Sequence, residues 1–296
     1  NLALKINGKL GGINNTITNA WFSEQPTMII GADVSHPAPE SKMPSISAFV
    51  FTHDRRSCSD YLALSAVQEP RMEKINDLSG MFKASCLIDI PHLKYIPKRI
   101  VIYRDGVSEG EFKTIYQEEV GAIMSSDLAL MILAETFEEL REPPSKITFV
   151  VVGKRHHIRF FPSEGQPADR NGNCMAGTVV DTNIVHPVYD DFYLQSQKGL
   201  IGTSRSGHYT LLHDDNGISA DVLQRLSFDL CHTFARSTSS VSIPAPVYCA
   251  FLVCARGRYH FDSEIYGSDS GGSGDGLSLS EFKRRYSNIH AALTKV

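Results

Sequence analysis

Two apolar runs in this chain each carry an aspartate at their far end, and that arrangement restricts the fold more than any other feature. In Thr27-Met-Ile-Ile-Gly-Ala-Asp-Val-Ser-His-Pro37 the residue is Asp33. In Arg99-Ile-Val-Ile-Tyr-Arg-Asp-Gly-Val-Ser-Glu-Gly-Glu-Phe112 it is Asp105, delivered straight into a glycine turn. Both runs read as core strands. An unpaired aspartate inside such a strand costs on the order of several kcal/mol, so two of them point to a shared cation held by hard oxygen ligands.

Bulk properties narrow the class. With 296 residues, 42% of them hydrophobic, the chain can bury one large core or two modest ones. It shows no run of about eighteen apolar residues and no charged-then-apolar leader, so neither a membrane span nor a signal peptide is expected. The expectation is a soluble intracellular protein, cytoplasmic with the nucleus left open. The six cysteines are scattered among apolar neighbours without a C-x-x-C pair, which predicts reduced, buried thiols and no structural zinc. A net charge of −4 excludes coating nucleic acid by bulk charge but leaves room for a local basic channel. The densest cationic cluster, Lys154-Arg-His-His-Ile-Arg159, follows the apolar run Ile147-Thr-Phe-Val-Val-Val152; others are Lys5/Lys9, Arg205, Arg236 and Arg256/Arg258. Any one of these residues alone reads as an ordinary surface charge. A cluster at a strand end, where open α/β sheets place their ligands, reads as a nucleic-acid contact.

Periodicity and turn signals predict strands at about 27–34, 45–53 and 60–67, then a helix from about Glu73 to Leu87. A fourth strand at 99–104 leads into a long helical region from about Glu111 to Leu140, which ends before Pro143-Pro144, and a fifth strand spans 147–152. Three meander strands followed by alternating helices and parallel strands predict an α/β, ribonuclease H-like fold: a central mixed sheet flanked by helices, in which acidic groups from the first and fourth strands meet. Farther on, Ser219 to Ser237 reads as an amphipathic helix with Val222, Leu226, Leu230 and Phe234 as core. Gly267 to Gly276 reads as a flexible loop, and a last helix begins near Ser278 with Glu281 completing a capping box.

A series of blocks then aligns in order: Asn1-Leu-Ala-Leu-Lys-Ile-Asn-Gly-Lys-Leu-Gly-Gly-Ile-Asn-Asn15, Gly31-Ala-Asp-Val-Ser-His-Pro37, Tyr103-Arg-Asp-Gly-Val-Ser-Glu-Gly110, Lys154-Arg-His-His157, Ala176-Gly-Thr-Val-Val-Asp181, Gly202-Thr-Ser-Arg205, Cys231-His-Thr233, Ser242-Ile-Pro-Ala-Pro246 and Arg256-Gly-Arg-Tyr-His260. On these blocks the chain closely resembles the PIWI domain of eukaryotic Argonaute proteins. The resemblance implies that residues 1–20 are a junction segment following a MID domain, that 21–296 are the PIWI domain, and that the chain is a fragment of a longer protein. It implies a small guide RNA and a target RNA as partners, possible silencing partner proteins, no membrane, and, in members that slice, two divalent metals, Mg²⁺ or Mn²⁺, bound by an acidic tetrad.

Residue by residue, the resemblance places the first tetrad aspartate on Asp33, the glutamate on Glu73 and the second aspartate on Asp105. These are the expected catalytic residues, with Asp33 and Asp105 as metal ligands and Glu73 entering the site when guide binds. Such ions, about 3.5–4 Å apart, would activate water and stabilise the leaving oxygen of a phosphodiester. The fourth position, histidine or aspartate in slicing members, falls on Phe251, which cannot bind metal. Weakened or absent cleavage is therefore expected. The guide 5′ phosphate is assigned to Lys5, Lys9 and Arg256, and the guide backbone to Lys154, Arg159, Arg205, Arg236, Ser242 and Tyr248. His36, His156 and His157 are expected to make hydrogen bonds rather than bind metal. Three functions stay open at this level: a small-RNA-guided endonuclease, a guide-dependent silencing module that does not cut, and an unrelated ribonuclease H-like nuclease or recombinase.

Overall fold

The computed structural model describes residues 2–39, 41, 43–53, 58–93, 97–125, 145–261, 277–290 and 294–295. Helices α1 (Leu2–Lys9) and α2 (Ala20–Glu24) precede a meander of β1 (Thr27–Ser35), β2 (Ser45–Thr52) and β3 (Tyr61–Gln68). Next come α3 (Leu78–Leu93), β4 (Arg99–Asp105), α4 (Phe112–Ile115) with a single π-helical turn at Tyr116–Val120, and β5 (Lys146–Gly153). The second half supplies β6 (Thr178–Val180), β7 (Asp191–Gln195), β8 (Gly207–Asp214), α5 (Ala220–Leu230), α6 (Ala245–Gly257), α7 (Leu279–His290) and β9 (Thr294–Lys295).

The strands form a single mixed sheet in the order β6-β7-β8-β5-β4-β1-β2-β3-β9. Parallel pairing joins β1 to β4 and β4 to β5 at its centre, and the meander and the β5–β8–β7–β6 half pair antiparallel. This is the α/β sheet anticipated from the sequence. Both faces are covered, because alternate residues of each central strand are apolar. Met28, Ile30, Ala32 and Val34 of β1 join Ile100 and Ile102 of β4 under α3, while Ile29 with Val101 and Tyr103 packs on the opposite face against α5 and the start of α6. Helix α6 also lies across β2 and β3, where Cys249, Ala250, Val253 and Cys254 meet Ala48, Val50, Tyr61 and Ala63.

Several boundaries differ from the sequence reading. Helix α3 begins at Leu78 rather than Glu73, because residues 69–77 form an irregular segment with Arg71 at φ 61°. The helical region expected from Glu111 follows a 3₁₀ turn at Glu109–Glu111 and runs without a break through α4, the π-turn and a further α-helical turn at 121–125, with 126–144 outside the described residues. Helix α5 stops at Leu230, seven residues short: the amides of Cys231, His232 and Thr233 turn back onto carbonyls three residues earlier, and the Thr233 hydroxyl also bonds Leu230 O. Its buried stripe runs through Leu223, not Val222. At α7 half of the capping box forms: Glu281 N donates to Ser278 Oγ at 3.3 Å, while the Glu281 carboxylate binds Arg284 and Arg285. Strands β6, β7 and β8 and helix α6 went unread in the sequence. The Gly267–Gly276 loop lies outside the described residues.

Candidate metal centre and nucleic-acid interface

The register of β1 and β4 builds the acidic pair. Ala32 lies opposite Arg104, so Asp33 and Asp105 are the next positions along two adjacent parallel strands. Side chains alternate along a strand, so Asp33 continues the row of Ile29 and Gly31, and Asp105 continues the row of Val101 and Tyr103. Those rows share a face. Asp33 is 6% exposed. Its burial, with the Asp105 carboxylate as the next cause, pushes its pKa up to about 7 against the pull of Arg104. Asp105 is raised as well, chiefly by burial, against the Gly106 amide, Arg104 and Arg155.

Glu73 rounds the end of β4. Its Oε1 is 2.7 Å from where a Cβ on Gly106 would sit, and Gly106 holds φ 90°, so a side chain there would be both crowded and strained. Glu73 Oε2 pairs with His36 Nε2 at 2.8 Å, and Oε1 lies 3.1 Å from Arg104 Nη2. Oε1 is buried and accepts no well-formed hydrogen bond. The donor set of Asp33, Asp105 and Glu73 is thus all hard oxygen, two of the three with raised proton affinity, and it fits Mg²⁺ or Mn²⁺. Among the described residues no three ligand-type side chains already close around an ion, and Glu73 leans on Arg104 and His36.

Sequence reasoning missed Arg104 and its partners. This guanidinium is wholly buried on the face opposite Asp105, yet it pairs with Glu119 at 3.2 Å and with Glu73. Burial works to lower its pKa, but the Glu119, Glu73 and Asp33 carboxylates outweigh burial and raise it. The available signal was an arginine inside the run Ile100-Val-Ile-Tyr-Arg104, since a buried cation demands carboxylates.

The fourth tetrad position expected from the resemblance falls on helix α6. Gly31 permits α6 to lie directly on β1: a Cβ there would fall 2.2 Å from the Pro246 carbonyl carbon. On that helix Phe251 is 51% exposed, with its ring edge-on to Tyr248. The residue reaching β1 beside the acids is Cys254, whose thiol lies 3.4 Å from Asp33 O and 3.3 Å from Ile46 O.

The cations fall into two groups. Lys154 leaves the end of β5 beside Asp105 and Arg205; burial lowers its pKa, with Cys231 and Asp105 opposing. His156, its pKa lowered mainly by burial, has Arg159 and Arg205 as neighbours and shares its Nε2 with Ser206 O at 2.9 Å. The second group is Arg236 with Arg256, close enough that Arg236 adds to the burial that lowers the Arg256 pKa. Arg256 Nε is buried with no hydrogen-bond partner among the described residues. Helix α1, which exposes Lys5 and Lys9, is tied beside this pair by Asn14 Nδ2 donating to Ala235 O. Tyr248 packs on Phe234, and Ser242 precedes α6. His36 and His156 make hydrogen bonds, as expected; His157 is exposed. The six cysteines are buried thiols.

The sequence profile of the Piwi domain matches residues 1–262. The chain belongs to the Piwi domain family. Its structure is similar to that of Kluyveromyces polysporus Argonaute with a guide RNA (TM-score 0.77, 31% identity), covering 86% of this chain and 31% of that one. It is similar to the C-terminal lobe of a budding yeast Argonaute (TM-score 0.80, 29% identity, 95% and 57% covered) and to Drosophila Piwi (TM-score 0.69, 26% identity, 86% and 32% covered). This Piwi domain therefore has the ribonuclease H-like fold and spans about a third of the whole proteins it matches. Among the described residues no helix is long and apolar enough to cross a membrane.

Proposed function

We propose that this Piwi domain binds a small guide RNA and its RNA target to silence the target, and that Asp33, Asp105 and Glu73 hold Mg²⁺ or Mn²⁺ for slow endonucleolytic cleavage. The observation that carries the reading is the pair of same-face aspartates on adjacent strands, with the Asp33 pKa raised to about 7. A raised carboxylate pKa marks charge that a cation would relieve. When bound, a divalent ion supplies Lewis-acid stabilisation of a phosphodiester and a more acidic water.

The chain's own residues do the rest. Lys5, Lys9 and Arg256 meet the guide's 5′ phosphate, a reading supported by the buried Arg256 Nε, which has no hydrogen-bond partner among the described residues. Lys154, Arg159, Arg205, Arg236, Ser242 and Tyr248 hold the guide backbone, which fixes register without reading base sequence. The guide RNA bound by Kluyveromyces polysporus Argonaute supports this partner. A cytoplasmic setting and association with silencing proteins complete the proposal, the six buried thiols being in keeping with a reducing compartment.

A second reading, guide-dependent silencing without cleavage, is favoured by Phe251, which offers an apolar ring where a ligand would stand. Cleavage of a matched target by the intact protein, loaded with guide in Mn²⁺, separates the two. Product that disappears in Asp33→Ala supports the metal site; guided binding with no product and no Mn²⁺ uptake leaves only silencing.

A further inference from the structure

Between β7 and β8 the segment 199–204 turns its two large apolar side chains outward, Leu200 being 81% and Ile201 94% exposed. Neither anchors it in the core, so its shape depends on hydrogen bonds. A second loop, 169–173, supplies them. The Asp169 carboxylate accepts the amides of Asn171 and Asn173 on Oδ1 at 2.8 and 2.9 Å, and that of Gly199 on Oδ2 at 3.0 Å. These amides, Asn173 foremost, hold its carboxyl below the usual range. Asn173, 2% exposed, donates from Nδ2 to Gly202 O at 3.0 Å and accepts Ser204 N on Oδ1 at 2.9 Å. Asn171 Nδ2 donates to Gly199 O at 2.7 Å. Both ends of the segment are thereby tied to the same loop.

The next residue is Arg205, and the backbone on its other side is fixed as well. Ser206, 4% exposed, donates from its hydroxyl to Gln195 Oε1 at 3.0 Å, and its carbonyl accepts His156 Nε2 at 2.9 Å. Arg205 is thus an exposed side chain between two held backbone positions. It lies near enough to Lys154 and His156 to add, behind burial, to the lowering of both pKa values, and Arg159 also faces His156. Two segments of the chain therefore bring like charges together. Repulsion would spread an untied loop away from the cluster, and an anion between the cations would relieve it.

We infer that Asp169 and Asn173 are positioning residues for the nucleic-acid backbone: they fix the loop that carries Arg205, so that its guanidinium meets a phosphate alongside Lys154 and Arg159. This deepens the guide-backbone assignment of Arg205 and rests on it. Neither positioning residue needs to touch RNA; each acts through the loop.

The test measures guide RNA binding by the intact protein over a salt series for Arg205→Ala, Asn173→Ala and Asp169→Asn, with melting midpoints to check folding. Arg205→Ala should weaken binding about tenfold and lower the salt slope by about 0.7–1, the value for one phosphate. Asn173→Ala removes no charge, yet it should lower the slope by the same amount, because the guanidinium is no longer held at its phosphate. Asp169→Asn sets an amide donor against backbone donors and should weaken binding too, whereas the loss of a negative charge by itself would tighten it. In the Arg205→Ala background, Asn173→Ala should add less than about twofold. Asn216→Ala serves as the control: it deletes bonds to Lys146 O and Thr148 Oγ1 past the far end of β8 and should leave the slope unchanged.

A slope lowered by Arg205→Ala but untouched by Asn173→Ala and Asp169→Asn would overturn the inference, as would losses that simply add in the double variant. If neither positioning variant folds, hydrogen exchange of the unaltered protein decides. The Gly199 and Ser204 amides must exchange about tenfold or more slowly than in an unstructured chain, and fast exchange there overturns the inference. A slope that ignores Arg205→Ala would instead sink the guide-backbone assignment of Arg205, and with it any part for these loop ties in RNA binding.

Discussion

Asp33 and Asp105 stand one position beyond the Ala32–Arg104 pair of two parallel strands, on the same face of the sheet, so neither can ionise without the other feeling it. The Asp33 pKa of about 7, against an ordinary 3.8, means that between those values the folded protein holds a proton the unfolded chain has lost. Its contribution to stability is therefore greatest below pH 4 and is lost as pH rises through about 7. In metal-free buffer, Asp33→Asn should remove that decline and be more stable than the unaltered protein at pH 8 by about 2–4 kcal/mol. Urea melts at pH 5 and 8 in chelator measure it; an equal pH dependence in both proteins would count against the coupling.

Gly31 is the point at which α6 touches β1 with no side chain between them. Gly31→Ala puts a methyl 2.2 Å from the Pro246 carbonyl carbon, so the helix start must shift. The expected cost is about 2–4 kcal/mol, read from a denaturant midpoint at unchanged slope. A loss under about 0.5 kcal/mol would mean that the helix yields freely.

Phe251 should limit cleavage. In the intact protein with matched guide and target, Phe251→His or Phe251→Asp should raise the single-turnover rate in Mn²⁺ about tenfold or more, since each restores a side chain able to ligate or orient. Asp33→Ala should abolish the activity in either background. Rapid cutting that ignores residue 251 would show the position to be idle.

The cationic pair near α1 should read phosphate and not bases. Arg256→Ala, Lys5→Ala or Lys9→Ala should weaken guide binding across all sequences and lower the salt slope by about 1 for each phosphate that is no longer neutralised. Fluorescence anisotropy over a salt series measures both quantities, and weakening confined to particular base sequences would contradict the assignment.

The amino-acid sequence by itself determined the five central strands, β1 to β5, because their apolar residues alternate or run unbroken and their ends carry strong turn signals. It also determined the acids Asp33 and Asp105 and the cationic cluster after β5, since a carboxylate at the end of an apolar run has a cost that local chemistry reveals. What only the tertiary structure decided are pairings between distant segments. Strands β6, β7 and β8 sit in a glycine-, serine- and aspartate-rich stretch whose strand character comes from cross-strand partners such as Tyr193 stacked on His208. Helix α6 owes its place to the missing side chain of Gly31, far away along the chain. Glu73 reads as a helix start from its neighbours, yet it lies in a loop shaped by Gln68, Arg104 and Glu119, groups on three separate elements. Burial made each of those polar groups costly without a partner, and for Arg104 and Glu119 the partner came from a part of the chain that no local pattern could name.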